Sequence, residues 1–294
     1  MSDTQLPISV VTIVRGRELH LRNQALGLSR LSTVPKEWII IGMDQEVPID
    51  ALPCPSGMKL KTAVVHGKDG HLPLAKARNR GATLATQPNL LFLDVDCIPG
   101  EDLLSTMNDA VKEQDTLWMG SIGYLDSDFP KDQWTVDDLR KHSHSHPALP
   151  KLAPGERRLS NRYELFWSLC FTIRRTTFHQ IGGFDTQFCG YGGEDTDFAF
   201  MTREANVAFG HVGSYAYHQH HPVCRPPVQH VADVVVNARR FHEKWGQWPM
   251  TGWLNELDQA GYIQFEQNCG KLELLRKPSS AEIEKATVST PAGF

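Results

Sequence analysis

In residues 89–96, NLLFLDVD, Asn89 to Leu93 read as a short strand, apolar after Asn89, that runs into two acids. An unbroken apolar run of this length suits a strand covered on both faces, as in a parallel sheet flanked by helices. In a locally extended chain the carboxylates of Asp94 and Asp96 project to one side while Val95 points away. Two hard oxygen ligands are then expected to face one spot. Working outward, residues 8–14 (ISVVTIV) form a first buried strand ending at the polar turn Arg15, Gly16, Arg17, and a helix is expected over 19–28. Residues 38–43 (WIIIGM) give a second strand, 61–66 a third, and 74–85 another helix. This strand–helix–strand rhythm predicts an α/β fold with a mostly parallel sheet, and ligands favour the carboxyl ends of such strands.

Beyond the decisive strand the chain changes character twice. Residues 127–159 are polar and irregular, with Pro130, Pro147, Pro150 and Pro154 and the alternating His142, His144 and His146, and are expected to form a long surface loop. Order returns with the apolar run 165–173, a short helix over 176–181, and the glycine-rich passage IGGFDTQFCGYGGEDTDF at 181–198. After His221 and Pro222 comes a segment, 228–265, containing Trp245, Trp248 and Trp253, which is expected to be helical, and from Lys277 onward a polar tail expected to fray.

The chain has 294 residues, of which 40% are hydrophobic and 22% charged, within the range of ordinary globular proteins and outside the disordered and fibrous classes. Its formal net charge of −4 supplies no basic field to attract nucleic acid. The amino-terminal residues lack a charged leader followed by an apolar core, and no stretch approaches the ~18 apolar residues of a membrane span. The six cysteines are scattered singly, so they read as reduced thiols of a cytoplasmic protein. No GxxxxGK[ST], GxGxxG or HExxH motif is present, which removes the signatures of P-loop kinases, dinucleotide oxidoreductases and zincins.

Three constellations carry chemistry. Asp94 and Asp96 suit Mg²⁺ or Mn²⁺, which take one or two carboxylates and complete their shells with phosphate oxygens and water; an isolated Asp-x-Asp is more often a pair of solvated turn acids. In GYGGEDTDF, 190–198, a glycine-rich loop meets a helix opening with Glu194, Asp195 and Asp197. Ordinary capping by acids is one reading; the other is a general base, Asp195, kept ionised by the helix amino terminus. In AYHQHHP, 216–222, three imidazoles lie within four positions, and His218 is the expected metal ligand with His220 in reserve. The run HSHSH at 142–146 has no acid or cysteine close by in sequence and reads as surface.

In their order, TIVRGRELHL after the first strand, LAKARNRGA before FLDVD, IGGFD followed by GYGGEDTDF, and AYHQHHP resemble glycosyltransferases of the GT-A fold. The resemblance is to the family 2-like group, including bacterial chondroitin polymerase domains and β-1,4-galactosyltransferases, and spans residues 8–222. It implies a Rossmann-like GT-A domain over 1–225, a Trp-rich helical extension over 226–276 and a flexible tail over 277–294. It makes Asp96 a direct ligand of a divalent cation, Mn²⁺ or Mg²⁺, places Asp94 near the metal and the donor ribose, and makes His218 the further protein ligand. Thr12, Arg15, Arg17, Asp44, Arg78 and Asn79 would line the nucleotide. The family often carries a plainer acidic pair after the second strand, where this chain reads GMDQ.

The activity so implied is metal-dependent transfer, with inversion, from a nucleotide-diphosphate sugar to an acceptor hydroxyl, with a UDP-sugar favoured over a GDP-sugar. Asp195 would take the acceptor proton, with Glu194 beside it, and Tyr191 and Trp167 would offer faces to a saccharide or glycoconjugate acceptor. A lipid-linked acceptor would bring the chain to a membrane surface. The competing readings are a nucleotidyltransferase, which releases pyrophosphate, a non-catalytic nucleotide-sugar or carbohydrate binding module, and, as a lesser option, a glycosidase.

Overall fold

A computed structural model describes residues 4–55 and 57–288. In chain order the elements are β1 (Thr4–Val14), α1 (Glu18–Ser29), β2 (Thr33–Met43), β3 (Lys59–Val65), α2 (Leu74–Leu84), β4 (Asn89–Leu93), β5 (Cys97–Pro99), α3 (Leu103–Glu113) and β6 (Thr116–Leu125). There follow α4 (Val136–Lys141), β7 (Ser143–Ser145), β8 (Arg157–Ser160), β9 (Cys170–Arg174), α5 (Arg175–Ile181), α6 (Glu194–Glu204) and β10 (Ala208–His218). The chain closes with β11 (Val223–Cys224), α7 (Val231–Trp245), α8 (Thr251–Gln259), β12 (Ile263–Glu266), β13 (Lys271–Leu274), α9 (Ser280–Ala286) and β14 (Thr287–Val288).

One large sheet organises the molecule, in the order β3-β2-β1-β4-β9-β6-β10-β5, with β7 on β6 and β8 on β10. The pairs β3–β2, β2–β1 and β1–β4 are parallel, as the apolar runs predict, and β6 lies parallel to β10. Antiparallel β9 joins the two parallel groups, and β5 runs antiparallel along β10. β4 is buried along its whole length because the sheet is covered on both faces. One face packs Leu21, Leu28, Leu104, Met107 and Val111 of α1 and α3, and the other packs Ala77 and Ala82 of α2 with a stacked phenylalanine layer built on Phe92, Phe171 and Phe198.

Three expectations are corrected. The segment 127–159 is not one loop: it contains α4, closed by a capping box in which Thr135 and Asp138 satisfy each other's backbone N–H groups, and it contributes β7 and β8 to the sheet edge. The Trp-rich segment is helical only through α7 and α8, after which β12 and β13 form a hairpin. The polar tail is ordered as far as 288, because Ser279 and Glu282 cap α9, Ile283 and Ala286 pack against the apolar cluster that holds Val228, Val231 and Leu254, and β14 pairs with β11. Residues 289–294 of that expected tail lie outside the described residues.

Candidate active site

At the carboxyl end of β4 the chain does not stay extended. The Asp94 carbonyl accepts the Cys97 N–H at 2.9 Å, closing a turn over 94–97. That turn separates the two carboxylates, so Asp94 and Asp96 do not share one spot as alternation alone would have them. Asp96 instead faces β10. His218 lies opposite Cys97 in the β10–β5 register, and the next residue, Gln219, donates its backbone N–H to the Asp96 carbonyl at 2.6 Å. The Gln219 side chain accepts from Asn23 at 2.8 Å and donates to the His20 carbonyl at 3.0 Å, which pins the histidine segment to α1.

The outcome is a group of three, Asp96, His218 and His221, whose ligand atoms all lie within 4.8 Å of one another. Asp94 is outside this group, and so is the reserve His220, which with His20 and Gln219 borders a small cavity of about 20 Å³. His221 was missed in the sequence, although HQHHP contained the signal. His20 was missed as well: its Nδ1 contacts Asp96 Oδ1, and Arg17 Nε lies 3.5 Å from the same oxygen. Burial alone would raise the Asp96 carboxyl, but hydrogen bonds from His20 and His221 outweigh it and hold the acid far below its ordinary range. Burial lowers the His218 imidazole to about 4, so it is neutral near pH 7 with a lone pair available to a metal. One ionised carboxylate and two imidazoles fit Mn²⁺ better than Mg²⁺, which prefers an all-oxygen shell.

The second half of the site comes from the glycine-rich loop and α6. Gly193 occupies the N-cap position with φ 87°, so α6 opens directly with Glu194 and Asp195. Glu194 Oε1 accepts from Arg78 Nη1 at 3.1 Å, both side chains being buried. Burial and the neighbouring Glu194 charge raise the Asp195 carboxyl to about 7, against the opposing pull of Arg78. Low dielectric therefore prevails over the helix terminus, and the expectation that the terminus holds Asp195 ionised is reversed. Asp94 is likewise raised, to about 6, by burial and the Asp96 charge, again opposed by Arg78. One buried guanidinium thus acts on acids from both halves, and the Tyr191 phenol, raised by burial and by Glu194, Asp195 and Asp94, faces the same space.

The loop itself is held by α7. Asn237, fully buried, donates to the Cys189 and Gly192 carbonyls, each at 2.9 Å, and accepts the Cys189 N–H. Asp233 accepts the Tyr191 N–H at 3.2 Å and pairs with His71 at 2.8 Å. Gly190, at φ 73°, leaves room for that carboxylate, into which any Cβ would be driven. Tyr191 stacks between His230 and Trp253, with centroids 4.5 and 5.7 Å away. Buried Asp197 accepts from Lys244 and Trp245, tying α6 to the same helix.

The remaining candidates divide. Thr12 is fully buried, donating to Gln24 and accepting from Trp38, so it holds α1 and β2 to β1 and does not line a cleft. Asn79 uses both ends of its amide on the Phe184 backbone, which makes it a brace for the IGGFD turn. Arg15 and Asp44 sit 3.6 Å apart at the ends of β1 and β2, and Asp44, at φ 56°, accepts the Gly67 N–H. Trp167 is half-buried and meets the His146 ring edge-on at 4.7 Å. His146 belongs to the HSHSH run, so that run is not all plain surface.

Comparison with known proteins follows this geometry. Residues 154–222, which carry the glycine-rich loop, α6 and the histidine segment, match the family model described as the N-terminal domain of galactosyltransferase. The chain is 24% identical over 271 residues to the validoxylamine A glucosyltransferase of Streptomyces hygroscopicus subsp. limoneus, covering 82% of this chain and 57% of the relative. It is 25% identical to the enzyme of the same name from S. hygroscopicus subsp. jinggangensis (strain 5008), covering 63% and 48%. The chain spans about half the length of these curated relatives. Among solved structures, S. aureus TarS 1-349 superposes with a TM-score of 0.52 at 13% identity, covering 81% of this chain and 66% of that one. A second TarS structure gives 0.53 at 15% identity, covering 81% and 40%.

The architecture is the GT-A fold, and the sequences that the chain matches are those of glycosyltransferases. Within that class the chain is similar to galactosyltransferase and glucosyltransferase sequences. Among the described residues no helix is long and apolar enough to cross a membrane.

Proposed function

We propose that this chain transfers a hexose from a nucleotide-diphosphate sugar, preferably a UDP-sugar, to an acceptor hydroxyl with inversion at the anomeric carbon. The observation that carries the reading is a pair of unlike sets of groups linked by the buried Arg78 charge, which acts on Asp94 next to the first and on Asp195 in the second: Asp96, His218 and His221, grouped to hold a divalent cation, and Asp195, an acid raised to about 7. Asp96, His218 and His221 would hold Mn²⁺, which when bound acts as a Lewis acid for the departing diphosphate. Arg17 beside Asp96 and the exposed Arg15 add charge-assisted hydrogen bonds to phosphate oxygens.

On the acceptor side, the Asp195 carboxylate takes the hydroxyl proton as the acceptor oxygen bonds to the anomeric carbon. The bond from that carbon to the diphosphate oxygen breaks, and its electron pair leaves with the nucleotide. A base near 7 is well matched to this task at neutral pH. Arg78 and Glu194 keep the loop and the base in place, the Trp167 ring offers a face to the acceptor saccharide, and Tyr191, whose ring is stacked with His230 and Trp253, offers its phenol oxygen. We take 1–225 as the donor-binding domain and 226–276 as an extension that holds the glycine-rich loop. Six free cysteines suit a reducing, cytoplasmic setting.

The test is product analysis with UDP- and GDP-sugars, with and without Mn²⁺, combined with thermal stabilisation by each donor. Release of nucleoside diphosphate, and metal-dependent stabilisation by UDP-sugars, are expected. Pyrophosphate release would favour nucleotidyl transfer, and donor binding without turnover would favour a binding module. Asp195→Asn should bind donor and metal as the parent does while losing turnover.

A further inference from the structure

The alternating histidines of 142–146, unused by the donor site, converge on a second Asp-x-Asp pair. β6 and β7 run antiparallel with Tyr124 opposite His144 and Leu125 opposite Ser143. The ladder continues one step further, where the Asp126 N–H donates to the His142 carbonyl at 2.9 Å. Period-two alternation places Asp126, His142 and His144 on one face of this pair of strands. A turn closed by the Phe129 N–H on the Asp126 carbonyl brings Asp128 back to them. Ligand atoms of Asp126, Asp128 and His142 accordingly lie within 4.8 Å of one another. His142 Nδ1 is 3.5 Å from Asp128 Oδ1, and His144 Nε2 contacts Asp126 Oδ1.

We propose that Asp126, Asp128 and His142 bind a divalent cation of borderline softness, Zn²⁺ being the best match, with His144 orienting Asp126 from behind. Two carboxylates held this close repel each other unless a cation lies between them. The added imidazole moves the preference from Mg²⁺ and Ca²⁺ toward Zn²⁺. A carboxylate ligand hydrogen-bonded to a second imidazole is the usual way its orientation is fixed. The donor site likewise brings an acid of an Asp-x-Asp at a strand end together with histidines, there through the turn over 94–97 and the β10–β5 register.

The ion would staple the two ends of the 126–142 excursion, whose Phe129, Trp134 and Leu139 pack with Ile98 and Tyr217. It would also fix β7, and with it His146, whose ring lies 4.7 Å from Trp167 and 6.3 Å from Tyr124. Tyr124 in turn stands 5.2 Å from His218. The cation therefore shapes one wall of the cleft from outside it.

Zn²⁺ binding is measured by equilibrium dialysis and metal analysis on the full chain, alongside the Asp128→Asn/His142→Ala and Asp96→Asn/His218→Ala double variants. The surface variant is expected to hold one equivalent fewer Zn²⁺ than the parent while retaining Mn²⁺-dependent thermal stabilisation by UDP-sugar. The cleft variant is expected to keep the surface equivalent. Asp128→Asn alone, an exposed and nearly isosteric change, should weaken that equivalent at least tenfold, with an unchanged melting temperature in chelator. An unchanged number of equivalents and unchanged affinity in both surface variants would overturn the proposal, as would zinc-edge anomalous maps of zinc-soaked crystals with no peak at these three side chains. If only the cleft variant failed to lose an ion, the donor-site reading would fall and this one would stand.

Discussion

Asp94-Val95-Asp96 and Asp126-Ser127-Asp128 both leave strands of the same sheet and both meet histidines, yet their surroundings differ sharply. The Asp96 side chain is 11% exposed, and His20, His221 and Arg17 press on its oxygens while Gln219 fixes the backbone behind it. The Asp128 side chain is 77% exposed, with His142 Nδ1 3.5 Å from its Oδ1. Residue chemistry is nearly the same at the two places. Burial and the supporting layer distinguish them: a carboxylate enclosed by hydrogen-bond donors is held ionised and oriented in advance, whereas an open one must be ordered by the ligand it binds.

Five experiments sharpen or break this contrast. Asp195→Asn touches neither cluster, so it should lower turnover by about 10²–10⁴-fold with metal binding at both places unaltered. In the parent, kcat should climb about tenfold per pH unit below about 7 and level off above it, because a raised carboxyl is a competent base only once deprotonated; a rate flat from pH 5 to 8 would remove Asp195 from that role. Asp96→Asn should cost about 10²–10³-fold in turnover, with Mn²⁺ affinity falling in parallel, whereas Asp128→Asn should change turnover by less than about threefold at saturating Mn²⁺. His20→Ala removes a supporting imidazole at the buried cluster and should weaken Mn²⁺ by about 10–100-fold; an unchanged affinity would show that the surroundings of Asp96 do not matter as argued. Asn237→Ala acts through the glycine-rich loop and not through either cluster. Losing its bonds to Cys189 and Gly192 should lower stability by about 2–3 kcal/mol in urea titrations, with turnover reduced more than donor affinity.

The strands and helices of the parallel half were legible because their apolar periods are strong: β4 begins and ends as read, and α2 falls within one residue of expectation. The site was legible only where polar residues had no internal partner to satisfy. Thr12 and Asn79 share motifs with Arg15 and Arg78, but a hydroxyl beneath Trp38 and an amide against Phe184 are claimed by the fold, and that is a tertiary fact. His20 became visible only once α1 was laid against the carboxyl end of β4. The HSHSH run read as surface because Asp126 and Asp128 are distant in sequence and adjacent only through the β6–β7 ladder. The tail misled for a related reason, since its polar composition hid two capping residues and a strand whose partner lies more than sixty positions earlier.

Val223 and Cys224 lie just beyond His221, and they are buckled to Thr287 and Val288 by β11–β14 while Cys224 Sγ touches the Ile283 carbonyl and Thr287. The segment carrying one arm of the cation grip is thus strapped down from a stretch that contributes nothing to the main sheet. A nick after the exposed Lys277 would leave that sheet whole yet unfasten the strap, so the earliest sign of damage at this end of the molecule should be a loosened grip on manganese rather than a lower melting temperature.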